Sequence, residues 1–247
     1  MRYLFVFLFF LTGCAGLQIP SDFKYYDIKT DFFTIASWQK ITTDDGVIKV
    51  YIEGDGHAFN RLGRPTSDPT PHGTLVRDLA FADTSENVVY LARPCQFIQG
   101  GGCDKKYWTT ARFSQEVIQS EYIAIKKIAG SRPVVLIGYS GGAQVAGLLA
   151  TTTNLNIKKV ITLAGNLDFN TWTSEFNMPP LSESLALENY KKDFMKISQI
   201  HYVGEFDKII PMKITTDFVG SENVVVVPGA DHSKGFEVIY TKIWNEN

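Results

Sequence analysis

Residues 138–142 have the sequence of a nucleophile turn. They read GYSGG, which fits the pattern G-x-S-x-G with Ser140 at its centre. An apolar run at 133–137 predicts a buried strand before the turn, and residues 143–149 predict a helix after it. A strand–turn–helix unit of this kind bends sharply, so the serine hydroxyl projects above the sheet edge at the positive end of the helix. Ser140 is therefore the candidate nucleophile.

A serine hydroxyl needs a general base, normally a histidine, to attack a carbonyl carbon near neutral pH. The chain has four histidines: His57, His72, His201 and His232. In a Ser-Asp-His order the base follows the nucleophile, which leaves His201 and His232. His201 lies inside an apolar strand-like run and is expected in the core. His232 follows the last predicted strand, at the sheet edge where Ser140 lies, and is the candidate base.

The acid that orients this histidine should also follow a strand, between Ser140 and His232. Three residues meet this condition: Asp168, Glu205 and Asp207. Asp207 is favoured because Gly204 ends the preceding strand and an apolar pair with Pro211 follows. Asp168 and Glu205 remain alternatives.

These residues depend on alternating strands and helices to bring them together. Seven apolar runs predict strands: Phe32–Trp38, Val47–Ile52, Val88–Leu91, Val134–Ile137, Val160–Leu163, Ile200–Val203 and Val224–Val227. Several are apolar throughout, as is typical of strands covered by helices on both faces. The alternation predicts an α/β fold with a mostly parallel sheet and right-handed crossovers.

Four helices are predicted between the strands. One starts at Thr70 and Pro71 and runs to Ala80; a second runs from its cap Ser114 to Gly130; a third covers Gly141–Ala150; the last starts near Ser233. Residues 166–198 do not follow the alternation. They are predicted to be an insertion of loop and short helix that covers the site.

The composition limits the classes of function. Hydrophobic residues make up 45% of the 247 residues and charged residues 20%, which is enough for a large core. The net charge is −2 and no basic run is present, so nucleic-acid binding through a basic face is not expected.

The N-terminus has the features of an export signal. Met1 and Arg2 precede a short apolar run that ends at Leu11, and residues 11–14 read LTGC, which resembles a bacterial lipobox. The predicted organisation is a lipoprotein signal peptide at 1–13, a lipidated Cys14 that opens a tether at 14–31, and a hydrolase domain at 32–247. The chain is then exported and lipid-anchored to the cell envelope. An ordinary signal peptide with an incidental cysteine is the alternative.

Two cysteines remain if Cys14 carries lipid. Cys95 and Cys103 are separated by a glycine-rich stretch, and thiols of exported proteins meet an oxidising environment. A disulfide between them is predicted. A metal site is not, because no histidine or further cysteine is spaced to complete one.

The elbow around Ser140, the Asp207 loop and the His232 loop resemble those of the α/β-hydrolase family over residues 32–247. More narrowly, four short segments resemble a group of bacterial α/β-hydrolase lipoproteins: 51–56, 68–71, 93–95 and 166–168. The resemblance implies a sheet of eight strands. Seven are evident, and the eighth is either Tyr25–Lys29 at the first edge or absent.

The resemblance also implies an oxyanion hole. One donor is the backbone N–H of Gly141, and the other comes from the loop after Val47–Ile52, with Asp55 first and Gly56 second. Family members often open that loop with a His-Gly pair, where this chain has Glu53 and Gly54.

The function expected from these features is cleavage of a carboxylic ester through an acyl-enzyme, without metal or organic cofactor. The substrate would be a small-molecule or lipid ester. Three alternatives remain: a peptidase, an acyltransferase of the same fold, and a non-catalytic binding lipoprotein.

Overall fold

The computed structural model describes residues 19–246. Their centre is one sheet of eight strands in the order β1-β2-β4-β3-β5-β6-β7-β8. The strands are β1 Lys24–Lys29, β2 Thr34–Ile41, β3 Ile48–Ile52, β4 Asn87–Leu91, β5 Val134–Tyr139, β6 Ile157–Leu163, β7 Gln199–Gly204 and β8 Val224–Val227. The pairs β1–β2 and β2–β4 are antiparallel, and the remaining pairs are parallel. The mostly parallel α/β sheet expected from the sequence is confirmed, including the eighth strand.

The central strands are apolar because both of their faces are covered. Every residue of β3 and β4 is buried. Two separate hydrophobic clusters lie on the two faces, one with Val50 and Leu136, the other with Tyr51 and Ile137. Neighbouring residues of one strand thus enter different clusters, as the two-residue period of a strand requires.

Within residues 19–246, seven α-helices accompany the strands. They are α1 Leu75–Ala82, α2 Gln115–Ala129, α3 Gly141–Thr152, α4 Phe169–Glu175, α5 Lys191–Phe194, α6 Met212–Val219 and α7 Tyr240–Asn245. Short 3₁₀ segments cover Lys105–Trp108, Leu187–Tyr190 and Phe236–Ile239. The predicted α2 is confirmed at both ends, with Ser114 and Gly130 at the cap positions.

Two predicted helix starts are wrong. The helix expected from Thr70 begins only at Leu75. Thr70 does not cap it, because its hydroxyl oxygen accepts a hydrogen bond from Phe97 N at 2.7 Å and its N–H donates to Asp68 Oδ1. The last helix begins with the 3₁₀ turn at Phe236 rather than near Ser233, since Asp231 Oδ1 accepts from the N–H groups of Ser233 and Lys234 and forms a turn there.

The predicted tether at 14–31 is wrong for residues 24–29, which form β1. This strand pairs with β2 along its whole length, and the rings of Tyr25 and Trp38 lie 4.9 Å apart. Only Ile28 of β1 is buried. An exposed edge strand needs no apolar run, and its charged residues discourage pairing with other chains. Its polarity is the reason that it resembled a tether.

The insertion at 166–198 lies between β6 and β7 and contains α4, a 3₁₀ turn and α5. Among residues 19–246, no helix has both the length and the apolar character needed to cross a bilayer. The predicted signal peptide and Cys14 lie outside the described residues.

Candidate active site

Ser140 lies at the sharp turn between β5 and α3. Its φ is 50°, a left-handed value that a residue with a side chain seldom adopts. The turn is possible because glycines flank it: a Cβ on Gly138 would lie 2.4 Å from the carbonyl oxygen of Gly142. The N–H of Ser140 donates to Leu163 O on the neighbouring strand at 3.0 Å. The close packing of the flanking glycines and this hydrogen bond thus hold the strained turn in place.

The side chains of Ser140, His232 and Asp207 form one chain of hydrogen bonds. His232 Nε2 lies 3.1 Å from Ser140 Oγ, and His232 Nδ1 lies 2.8 Å from Asp207 Oδ2. A carboxylate accepts hydrogen bonds, so the proton belongs on Nδ1 and the Nε2 lone pair faces the hydroxyl. This arrangement can take a proton from Ser140.

Asp207 is itself fixed by the backbone. Its Oδ1 accepts from the N–H groups of Ile209 and Ile210 at 2.8 and 2.9 Å, and the residue is 7% exposed. The backbone oxygen of His232 accepts from the Tyr139 hydroxyl at 3.0 Å. Hydrogen bonds therefore hold both the carboxylate of Asp207 and the backbone of His232 in place.

The alternative residues lie elsewhere. Asp168 caps α4, where its carboxylate accepts from Thr171 N at 3.0 Å. Glu205 accepts from Gly229 N at 2.8 Å. His201 is fully buried in β7, with its ring nitrogens 2.8 Å from Thr162 Oγ1 and from Gln199 Oε1. Burial lowers the His201 pKa to about 4.

The loop after β3 brings Asp55 to the N-terminus of α3. Helix geometry leaves the N–H of Gly141 without an intrahelical acceptor. Within residues 19–246, the N–H groups of Asp55 and Gly56 also donate to no backbone or side-chain acceptor. A Cβ on Gly141 would lie 2.1 Å from Asp55 Oδ1, so the two segments are in close contact.

Two arginines that sequence analysis did not single out lie beside this loop. Arg112 Nη1 donates to Asp55 Oδ2 at 2.6 Å, and Arg93 Nη1 lies 3.6 Å from Asp55 Oδ1. Arg93 is also 3.6 Å from Glu121, whose pKa burial raises to about 8. Arg93 belongs to the segment 93–95 that resembles a group of hydrolase lipoproteins, but that resemblance did not predict these ion pairs.

Two further polar side chains hold the same loop. Gln96 donates to Gly54 O, and Glu53 accepts from Gly54 N. Burial raises the Glu53 pKa, although its hydrogen bonds with Tyr90 and Gly54 oppose the shift. In the sequence, Glu53 is notable only because it takes the place of the histidine that opens this loop in many family members.

Ser140 and His232 open into a cavity of about 860 Å³. One part of its lining is apolar and comes partly from the insertion: Trp172, Met178, Ile209 and Ile210. Trp172 Nε1 donates to Ile209 O at 2.7 Å, which joins α4 to the Asp207 loop. His57 and His72 also line the cavity, with their rings stacked 4.1 Å apart. The predicted insertion therefore contributes to the site.

Cys95 and Cys103 are joined by a disulfide, with their Cα atoms 5.6 Å apart. Among residues 19–246, no group of three or more His, Cys, Asp or Glu side chains is placed to hold a metal ion.

The eight-stranded sheet and the turn that carries Ser140 define the class: this is an α/β hydrolase. The profile of the family described as serine hydrolase (FSH1) matches residues 106–232, or 127 of the 247 residues, and the chain belongs to that family. The matched segment includes Ser140, Asp207 and His232. No curated protein sequence matches the chain.

Solved structures show the same fold at low sequence identity. An α/β serine hydrolase without lid from Xanthomonas campestris is 13% identical, with 92% of each chain covered and a TM-score of 0.55. Est1E from Butyrivibrio proteoclasticus is 11% identical, with 91% of this chain and 96% of that chain covered and a TM-score of 0.61. An α/β serine hydrolase homologue from Coxiella burnetii is 14% identical, with 90% and 93% covered and a TM-score of 0.57.

Proposed function

We propose that this serine hydrolase cleaves carboxylic esters, with Ser140 as nucleophile, His232 as general base and Asp207 as the acid that orients the base. The observation that carries the proposal is the continuous hydrogen-bonded chain from Ser140 Oγ to Asp207 Oδ2, which opens into the cavity. Family membership supports the reaction class.

In the first half of the reaction, Ser140 Oγ attacks the ester carbonyl carbon while its proton passes to His232 Nε2. The negative charge that develops on the carbonyl oxygen is stabilised by the N–H groups of Gly141 and Asp55, with Gly56 as a further donor. The intermediate then collapses, the bond to the alcohol oxygen breaks, and His232 returns the proton to that oxygen. The product of this half is an acyl-enzyme.

In the second half, His232 takes a proton from water, and the resulting hydroxide attacks the acyl carbon. The bond to Ser140 Oγ breaks, His232 protonates that oxygen, and the carboxylic acid leaves. Asp207 stays ionised throughout and stabilises the imidazolium form of His232.

The cavity lining supports an apolar acyl group. Trp172, Met178, Ile209 and Ile210 line the same cavity as Ser140, and apolar side chains in a pocket bind apolar ligand groups. We therefore propose a lipid or short-chain ester with an apolar acyl chain as the substrate.

The test combines active-site labelling with a substrate panel. A fluorophosphonate probe should label the wild type and fail to label Ser140→Ala, whose ester hydrolysis should fall by several orders of magnitude. Ser233→Ala is the matched control, since Ser233 lines the same cavity next to His232 and should still be labelled. The panel comprises p-nitrophenyl esters from acetate to palmitate and the corresponding anilides.

The outcomes separate the competing functions. Full hydrolysis by Ser140→Ala would disprove the mechanism. Anilides that react as fast as esters would indicate a peptidase, and transfer to an added alcohol in preference to water would indicate an acyltransferase. If the folded wild type shows neither labelling nor turnover, a non-catalytic binding lipoprotein would be the remaining alternative.

A further inference from the structure

The carbonyl oxygen of Gly54 is held by a buried glutamine. Gln96 Nε2 donates to it at 2.9 Å, and Gln96 Oε1 accepts from the backbone N–H of Arg93 at 3.0 Å. Because Oε1 is engaged by a donor, the side-chain amide presents its NH₂ group to Gly54. Gln96 is 1% exposed, so water does not compete for this contact.

The nitrogen of Gly54 is held as well. Its N–H donates to Glu53 Oε1 at 2.9 Å, and Glu53 Oε2 accepts from the Tyr90 hydroxyl at 2.6 Å. Side chains therefore fix the peptide groups on both sides of Gly54. One of these side chains, that of Gln96, comes from a loop 42 positions further along the chain.

The direction of the Gly54 carbonyl decides where the next N–H points. Residues 19–246 contain no cis peptide bond, and in a trans peptide the C=O and N–H groups point to opposite sides of the chain. The N–H of Asp55 therefore points away from Gln96. This N–H donates to no protein acceptor in the described part of the chain.

Residues 54 and 55 lie directly against the nucleophile turn. A Cβ on Gly54 would be 3.2 Å from the Cβ of Ser140, and a Cβ on Gly141 would be 2.1 Å from Asp55 Oδ1. Gly54 is thus packed against Ser140, and the Asp55 side chain lies against the first residue of α3.

The segment that presents Gln96 is strained. Cys95 and Phe97 have φ values of 70° and 63°, in the left-handed region that residues other than glycine occupy only when their surroundings hold them there. The disulfide to Cys103 and the bond from Phe97 N to Thr70 Oγ1, at 2.7 Å, supply that restraint. Strain of this kind is concentrated at functional sites, and Gln96 lies at its centre.

We propose that Gln96 is a positioning residue for ester hydrolysis: its amide fixes the Gly54–Asp55 peptide so that the Asp55 N–H is aimed at the developing oxyanion. The inference rests on the proposed function, because only an acyl-transfer reaction forms that oxyanion. Gln96 acts through Asp55 and does not touch the substrate.

Two substitutions test the proposal. Gln96→Met removes the hydrogen bonds at similar length, and Gln96→Glu keeps an acceptor for Arg93 N but places an oxygen against Gly54 O. For both variants, kcat should fall about 10- to 100-fold while KM stays within about twofold. The loss is smaller than the ~10²–10³-fold fall in kcat that follows removal of an oxyanion donor, because the donor is still present but points in the wrong direction. Affinity for an alkyl boronic acid, which reproduces the tetrahedral oxyanion, should fall by the same factor.

Gln99→Met is the matched control. Gln99 lies in the same loop and donates to Cys95 O at 2.7 Å and to Asp68 Oδ1 at 3.2 Å, but it has no bond to Gly54. It should keep the wild-type kcat and boronate affinity, even if its melting temperature falls.

Wild-type kcat and boronate affinity in a folded Gln96 variant would overturn the proposal. A loss of equal size in Gln99→Met would overturn it too, since the effect would then belong to loop structure in general. If Gln96→Met does not fold, Gln96→Glu decides by the same criteria. Fluorophosphonate labelling of the wild type separates the failures: an unlabelled wild type overturns the proposed function with this inference, whereas a labelled wild type with unaffected Gln96 variants overturns the inference alone.

Discussion

The two carboxylate oxygens of Asp207 have different partners. Oδ1 accepts two backbone N–H groups, and Oδ2 accepts from His232. The first set fixes the carboxylate against its own loop, so the second can hold the imidazole in one tautomer. Asp168 has a similar carboxylate with a purely local set of partners in α4.

Asp207→Asn should therefore lower kcat about 10⁴-fold, because the amide stabilises the wrong imidazole tautomer. Asp168→Asn is the control and should stay within a few-fold of wild type, with at most a loss of helix-cap stability. Steady-state hydrolysis of one p-nitrophenyl ester by both variants checks this. A collapse of activity in Asp168→Asn, with Asp207→Asn near wild type, would transfer the role to Asp168.

His201 should make the protein sensitive to acid. Its folded-state pKa is about 4, below the 6.5 of an exposed histidine. The unfolded chain therefore binds the extra proton first, and the stability conferred by neutral His201 is lost as the pH falls from about 6.5 through 4. The non-titrating variant His201→Gln should show a flatter dependence of urea midpoint on pH in this window. Parallel curves for variant and wild type would contradict the assignment.

Sequence could predict that Ser140, His232 and Asp207 lie together, because each follows a strand and parallel strands end at the same sheet edge. It could not predict Arg112 or Gln96. These two side chains contact Asp55 and Gly54, which are 57 and 42 positions away. Nothing in their local sequence specifies those contacts.

At the scale of elements, α3 lies unusually close to β3. A Cβ on Gly142 would be 2.5 and 2.6 Å from the backbone oxygens of Ile52 and Glu53. Those oxygens belong to the central strand and its loop, so neither can move without displacing Gly54 and Asp55. The strand–turn–helix unit and the loop after β3 are thus closely packed against each other.

Gly142→Ala should destabilise the protein by about 1–3 kcal/mol, the usual cost of overpacking, although alanine is the better helix former. Gly147→Ala in the same helix is the control: the three atoms nearest to its Cβ all belong to the side chain of Leu187 rather than to backbone, so it should cost less than Gly142→Ala. Urea denaturation should separate the two variants, and Gly142→Ala should also lose ester hydrolysis. Equal stability of Gly142→Ala and wild type would contradict the close fit.

Elements with apolar runs or cap residues were predicted well. The cap residues Ser114 and Gly130 predicted both ends of α2. The start of α1 was missed because Thr70 is used by the loop at Phe97, a long-range contact. For β1 the sequence left two possibilities open, a tether at 14–31 or a first edge strand at Tyr25–Lys29, because its exposed edge position leaves almost no apolar pattern.

At the scale of the whole molecule, β1 belongs to the folded domain. We propose that the chain before it carries an export signal and that Cys14 holds a lipid anchor, which needs more than one acyl chain to be stable. The anchor is then separated from the first strand by about ten residues.

A variant without residues 1–18 should be soluble and active, whereas one without residues 1–31 should aggregate. The longer deletion removes β1 and exposes the edge of β2 with Trp38. Size-exclusion chromatography with an ester assay checks both. Equal behaviour of the two variants would show that β1 is dispensable.

Cys14→Ser should release the full-length protein from the membrane fraction. Wild type should stay in that fraction after a salt wash, because anchoring by acyl chains does not depend on charge. If wild type and Cys14→Ser fractionate alike, an ordinary signal peptide replaces the lipid anchor.

The disulfide also bears on when the enzyme becomes competent. If the chain is exported as we propose, the bond between Cys95 and Cys103 would close only after the chain leaves the cytoplasm, where thiols are kept reduced. Until then the segment that carries Gln96 lacks its covalent restraint. A newly made chain would thus be a weak catalyst in the compartment where it is synthesised, and the cell's own esters there would be spared.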